Sequence, residues 1–216
     1  MSMSMSDVDM RRHLTHIMSD DVETRRRLTY AASQGEAKTQ TMLGTMHRDG
    51  LGGPEDFAEA RRLYGLAAAQ GLSNAQAMLA GMHHDAIGGP QDLAEARRLF
   101  ELAAAQGDPY ALTTLGNMYV SGEGGPQDFI EAKRLLGLAA AQDVAGAQVI
   151  LANLHLSGIG GPTDFAEARR LLRLAAAQDR ADALTMLAGM YSLGQGVPQD
   201  LHEARRLFEL AAAQGL

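Results

Sequence analysis

The chain has 216 residues, 46% of them hydrophobic, with five Phe, five Tyr, no Trp and no Cys. The lack of cysteine excludes disulfides and thiolate metal sites, and a formal net charge of −7 argues against a broad nucleic-acid surface, which needs clustered Lys and Arg. No apolar run approaches the ~20 residues that span a bilayer. Met1 to Met10 carries Asp7 and Asp9 and does not read as a secretory signal, so a cytoplasmic protein is the default expectation.

Residues 1–19 read as a tail and a short capping helix. Met1 to Ser6 alternates Met and Ser, whereas Met10, Leu14, Ile17 and Met18 share one helical face. From Asp20 the chain falls into a fixed register. The string Glu-Ala-Arg-Arg-Leu starts at Glu59, Glu95, Glu167 and Glu203, with the variant Glu-Ala-Lys-Arg-Leu at Glu131, each start 36 residues after the last. Ala-Ala-Ala-Gln follows at a constant distance, ending at Gln70, Gln106, Gln142, Gln178 and Gln214. A period of this length without insertions marks a solenoid in which each unit touches its neighbours. The organisation is a half repeat over 20–35 and full repeats over 36–71, 72–107, 108–143, 144–179 and 180–215.

Within the first full repeat, Met42, Leu43 and Met46 define the apolar face of a helix A spanning about 36–48. The stretch Asp49-Gly50-Leu51-Gly52-Gly53-Pro54-Glu55 is a turn by composition. Asp56 then caps a helix B that runs to about Gln70. Its carboxylate takes the free N–H groups of the first turn, and Glu59, three residues on, is spaced to reach back in a capping box. The pair recurs as Asp92 with Glu95, Asp128 with Glu131, Asp164 with Glu167 and Asp200 with Glu203. Gly71 and Gly107 end helix B where a left-handed residue is wanted, and Asp143 and Asp179 take that place in two later repeats. Phe57, Ala60, Leu63, Tyr64, Ala67 and Ala68 form the packing stripe of helix B, which places Arg61 and Arg62 toward solvent. Met42, Met78, Met82, Met118, Met186 and Met190 are assigned to the helix A core. Gly215-Leu216 repeats Gly71-Leu72 with no polar capping helix after it, which raises self-association through an uncapped last repeat.

Chemical sites are weakly indicated. His47, His83 and His155 share one repeat position with Tyr119 and Tyr191. Ligands on successive repeats stand ~10 Å apart and cannot share one ion at ~2 Å bonds, so this column reads as structural. The Gly-Gly-Pro loops precede helix N-termini, but a capping Asp already occupies those N–H groups and would repel a phosphate. No catalytic set, cofactor motif or metal site stands out.

The motif Ala-x3-Leu-Gly/Ala-x2-Tyr/His, Gly-x-Gly, Asp-x3-Ala, Ala-Ala-x2-Gly stands in the third repeat as Ala111, Leu115, Gly116, Tyr119, Gly122, Gly124, Asp128, Ala132, Ala139 and Ala140. Asp143 replaces its last glycine, and Ala86 replaces the first loop glycine of the second repeat. On these residues the chain resembles the Sel-1-like repeat family, a branch of the tetratricopeptide-like solenoids. The resemblance implies an all-α, right-handed α/α superhelical solenoid of five helix pairs with an N-terminal capping helix or two. It also implies a non-enzymatic scaffold or adaptor, holding a peptide or protein in a concave groove lined by helix A. By that resemblance the groove candidates are Thr45, Arg48, His84, Tyr110, Thr113, Asn117, Val120, Val149, Asn153, Leu156 and Thr185. These positions vary between repeats while helix B barely changes. The rival expectations are self-assembly through the C-terminal repeat and, further off, a small-ligand pocket or enzyme on the concave face. Nucleic acid and membrane are not expected as partners.

Overall fold

The structure, a computed structural model, describes residues 21–214. The expected tail and capping helix over residues 1–19, the Asp20 cap and the terminal Gly215-Leu216 step lie outside the described residues. Those described form helices and turns without a strand. Helix α1 covers residues 21–33. It is followed by α2 (Ala37–Asp49), α3 (Phe57–Ala69), α4 (Ser73–His84), α5 (Leu93–Ala105), α6 (Pro109–Ser121), α7 (Phe129–Ala140), α8 (Ala145–Ser157), α9 (Phe165–Ala176), α10 (Ala181–Leu193) and α11 (Leu201–Ala213). Even-numbered helices from α2 to α10 are the A helices, and odd-numbered ones from α3 to α11 are the B helices. This is an all-α helical-repeat fold.

The chain forms two compact units with a boundary between Ala103 and Ala104. In the first, α2 packs on α3 and α3 on α4. Ala32, Leu43 and Leu63 form a buried cluster extended by Leu28, and Tyr64, Leu79, Met82, Leu99 and Phe100 continue the core. In the second unit α6 packs on α7, α7 on α8, α8 on α9, α9 on α10 and α10 on α11. Its core includes Leu112, Leu115, Met118, Leu136, Leu171, Leu172, Leu187 and Met190. Alanine makes the close helix approach possible. Ala60, Ala67, Ala75 and Ala96 in the first unit, and Ala111, Ala132, Ala147, Ala168 and Ala183 in the second, are fully buried, so backbones meet with only a methyl group between them.

Each B helix begins as its sequence dictates. Asp56, Asp92, Asp128, Asp164 and Asp200 accept the N–H of Glu59, Glu95, Glu131, Glu167 and Glu203 at 2.9–3.0 Å. Among the described residues the reciprocal half of the capping box does not form: the Asp56 N–H is spent on the His47 carbonyl, as its equivalents are on theirs, and an arginine three residues on takes the glutamate carboxylate. Glu59 is held by Arg62 through two bonds of 2.7 Å, and the pairs Glu95–Arg98, Glu131–Arg134, Glu167–Arg170 and Glu203–Arg206 repeat it. The loops keep the left-handed conformations that the turns demand even without glycine: Ala86, Asp143 and Asp179 have φ of 57°, 59° and 58°. Ala86 stands at the register position of Gly50, and α4 ends one residue sooner than α2.

Met82, Met118 and Met190 are buried as expected, but Met42 is 56% exposed. The equivalent Met78 is half-buried because its sulfur lies 3.4 Å from the Arg48 guanidinium of the preceding A helix. Met42 has no such cover among the described residues.

Loop glycines and helix glycines should respond in opposite ways to the same substitution. A Cβ on Gly88, at φ +69°, would strike the Phe57 carbonyl oxygen at the start of the preceding B helix. A Cβ on Gly189 would meet nothing within 4 Å. Gly88→Ala is therefore expected to cost more than ~1 kcal/mol, and Gly189→Ala to add ~0.5–1 kcal/mol by favouring the helix. Chemical denaturation of the two variants checks the pair.

Candidate functional site

The groove candidates divide between the two units. In the first, Thr45 and Arg48 lie on α2 and His84 at the end of α4. Each has other work. Thr45 bonds the Thr41 carbonyl and the otherwise buried Tyr64 hydroxyl, the latter at 3.0 Å. Arg48 forms a two-point pair with Asp49 at 2.7 and 3.1 Å, and His84 Nδ1 lies 2.5 Å from an Asp85 carboxylate oxygen. The Arg48 pairing holds Asp49 below the usual carboxylate range.

In the second unit, Tyr110, Thr113, Asn117 and Val120 lie on α6, Val149, Asn153 and Leu156 on α8, and Thr185 on α10. Residues 113, 117 and 120 are spaced to share a helix face, as are 149, 153 and 156. Thr113 and Thr185 spend their hydroxyl protons on carbonyls four residues back, those of Pro109 and Ala181. Asn117 and Asn153 differ. Both are exposed, stand at one register position on helices that touch each other, and make no side-chain hydrogen bond among the described residues. Each amide offers two donors and one acceptor carbonyl to whatever lies on that face. The neighbours are mixed: Tyr110 is 46% exposed, and Val120, Val149 and Leu156 are half-buried.

Two elements escaped the sequence reading. The first is a buried glutamine on helix A. Gln40 and Gln148 donate to the Ala32 and Ala140 carbonyls of the preceding B helix at 3.3 Å, and accept from Gln70 and Gln178 at 2.9 and 3.2 Å. The recurrent Gln of the Ala-Ala-Ala-Gln string is thereby explained. Where helix A carries Leu112 instead, Gln142 turns to the Gly107 carbonyl. The signal was the return of Gln at positions 40, 76 and 148 on a face otherwise apolar.

The second is an arginine clamp, which corrects the expectation that Arg61 faces solvent. Arg61 bonds His83 Nδ1 at 2.6 Å and the Pro90 carbonyl at 3.2 Å, both in the next repeat. Arg25 does the same to His47 at 2.6 Å and Pro54 at 3.4 Å. Arg62 alone of the Arg-Arg pair is solvent-facing. The histidine column is structural in this sense: a guanidinium only donates, so the ring nitrogen facing it must be unprotonated. Burial, then the Arg25 and Arg61 charges, hold His47 and His83 below the ordinary histidine value of 6.5. Among the described residues no three His, Cys, Asp or Glu side chains gather into a metal-binding group.

Comparison with known proteins agrees with this architecture. The Sel1 repeat family model matches residues 37–72, 73–108, 109–144, 145–179 and 181–216. The chain belongs to that family, whose members generally mediate protein–protein interactions and are typically non-enzymatic. Among solved structures it is similar to a Sel1 repeat protein from Oxalobacter formigenes, at 29% identity and TM-score 0.75 over 87% of this chain and 75% of that one. It is also similar to a protective antigen of uropathogenic Escherichia coli with an SLR fold, at 28% identity and TM-score 0.73. That match covers 89% of this chain but only 49% of the antigen, so the chain spans about half its length. No curated protein matches. Among the described residues no helix is long and apolar enough to cross a membrane.

Two predictions follow from the clamp. A histidine held below 6.5 when folded binds fewer protons than it does unfolded. The clamp's contribution is therefore complete above pH ~6.5 and declines as pH falls through that value. Glu59 and its equivalents, lowered from 4.5 chiefly by their arginine bonds, add a second loss below pH ~4.5. Melting temperature against pH should show both steps, and Arg61→Ala with Arg25→Ala should reduce the first without abolishing it, since burial is its larger cause. The third clamp is incomplete: Lys133 replaces arginine, and His155 Nδ1 is buried without a partner. Lys133→Arg is expected to supply that bond and stabilise by ~1 kcal/mol, read as a raised melting temperature.

Proposed function

We propose that the chain is a non-enzymatic adaptor of the cytoplasm that holds an extended peptide or a protein segment along the helix A face. The carrying observation is the Asn117 and Asn153 pair. Two exposed amides with unused donors and acceptors, one repeat apart on touching helices, suit the backbone of an extended chain crossing α6 and α8. Val120, Val149 and Leu156 beside them would take apolar side chains, and Tyr110 and Thr185 would flank the same face. Thr113 has its hydroxyl proton engaged, and its methyl group adds apolar contact. In the first unit Arg48 and His84 would meet acidic groups of a partner. Their existing carboxylate pairs weaken that contribution, so the asparagines carry the binding energy in this reading.

Asn117→Ala with Asn153→Ala removes two hydrogen-bonding groups at ~0.5–1.5 kcal/mol each. Partner affinity should fall by roughly 5- to 150-fold with helicity unchanged, because both side chains are exposed and contact no core. Capture of a partner from native lysate, followed by calorimetry of the purified complex with both forms, measures it. Unchanged affinity would move the interface off the helix A face.

A further inference from the structure

The B helices carry a second surface that the peptide-binding reading does not use. One register position, seven residues after the first-turn glutamate, is solvent-exposed and apolar in every copy. In the first unit it is Tyr30, Leu66 and Leu102, at 74%, 42% and 42% exposure; in the second it is Leu138, Leu174 and Leu210, at 46%, 38% and 42%. Single exposed leucines are ordinary. The same exposed position kept apolar while neighbouring surface positions vary (Gly65, Glu101, Gly137, Arg173 and Glu209 stand one residue earlier) marks a contact surface.

In the first unit Leu66 and Leu102 border two equivalent clefts. One, of about 380 Å³, is lined by Ala32, Leu43, Leu63 and Leu66 with the Glu59–Arg62 pair on its wall. The other, of about 390 Å³, is lined by Ala68, Leu79, Leu99 and Leu102 with the Glu95–Arg98 pair. Each floor is therefore core, each rim is a leucine, and each wall is an ion pair already closed on itself.

We propose that this B-helix face of the first unit is a dimer interface occupied by the same face of a second copy of the chain. Two features select that occupant. Filling both clefts at once requires apolar side chains at the spacing of the repeat, and the ridge of Tyr30, Leu66 and Leu102 on a second copy has that spacing by identity of sequence. The walls of both clefts are also neutral. Each repeat adds one glutamate and one arginine in a two-point pair, so two copies meet without like-charge repulsion although the whole chain carries −7. A two-fold axis would bring the ridge of one copy over the clefts of the other, with the same residues on both sides.

Sedimentation velocity of the full chain over a concentration series tests this. The wild type should move from the mass of one chain, 23.0 kDa, toward twice that value. Leu66→Glu with Leu102→Glu should remain at the single-chain mass with an unchanged circular dichroism spectrum. A wild type that stays at one chain's mass at every concentration overturns the proposal, as does association that survives the double substitution. Should the charged variant lose its helicity, Leu66→Cys gives an independent readout in a chain without native cysteine. Oxidation should link two copies through it and not through Leu201→Cys on α11, and the reverse pattern also overturns the proposal. Asn117→Ala with Asn153→Ala should leave the mass series unaltered, so this test and that of the helix A face fail separately.

Discussion

One backbone hydrogen bond sets the geometry on which the rest depends. The amide of Asp56 donates to the His47 carbonyl at 2.8 Å, closing the loop between helix A and helix B. It recurs from Asp92 to His83, Asp128 to Tyr119, Asp164 to His155 and Asp200 to Tyr191, at 2.9–3.0 Å. At one end it fixes the residue whose carboxylate caps helix B. At the other, in the first unit, it fixes His47 and His83, which receive Arg25 and Arg61 of the preceding repeat. An inserted residue would uncouple the cap from the clamp, which gives a physical reason why the period never drifts from 36.

The clamp and the buried glutamines then divide the labour of joining repeats. Hydrophobic burial of alanine and leucine supplies most of the stabilisation but has little directional preference. The glutamine chain from the Ala32 carbonyl through Gln40 to Gln70 fixes the angular register at one end of the helices, and Arg61 on His83 and Pro90 fixes it at the loop end. The exposed Glu–Arg pairs are of a different kind. At solvent-facing positions such pairs add little stability, yet they tie up charges that would otherwise mark the B-helix face as polar.

Periodicity and capping chemistry made the helices, their boundaries and the αL turns legible, since these are local decisions that the sequence states outright. Side chains that act across the repeat boundary were not. Arg61 and Arg62 are adjacent and alike in sequence, but ~100° of helix rotation sends one to the next loop and the other to solvent. Gln40 carried no local signal of its role, because its partners, a terminal carbonyl and a glutamine 30 residues away, are invisible to a local pattern. The groove candidates were only partly legible for the same reason. Sequence variation marks Thr45 and Asn117 alike, and only the structure separates a hydroxyl already holding Tyr64 from an amide with nothing bound.

The clamp also bears on how such an array grows. Every repeat but the one holding Lys133 has an arginine at this position, and Arg25, Arg61 and Arg169 each reach a histidine or loop carbonyl of the following repeat, so a duplicated unit of that kind inherits both halves of a joint that fits its own copy. Tandem expansion in this chain therefore starts from matched ends and needs no compensating change. A repeat acquired from an array lacking the pair would begin with a mismatch like that between Lys133 and His155, where one half of the joint has drifted and the other still waits, buried, for its partner.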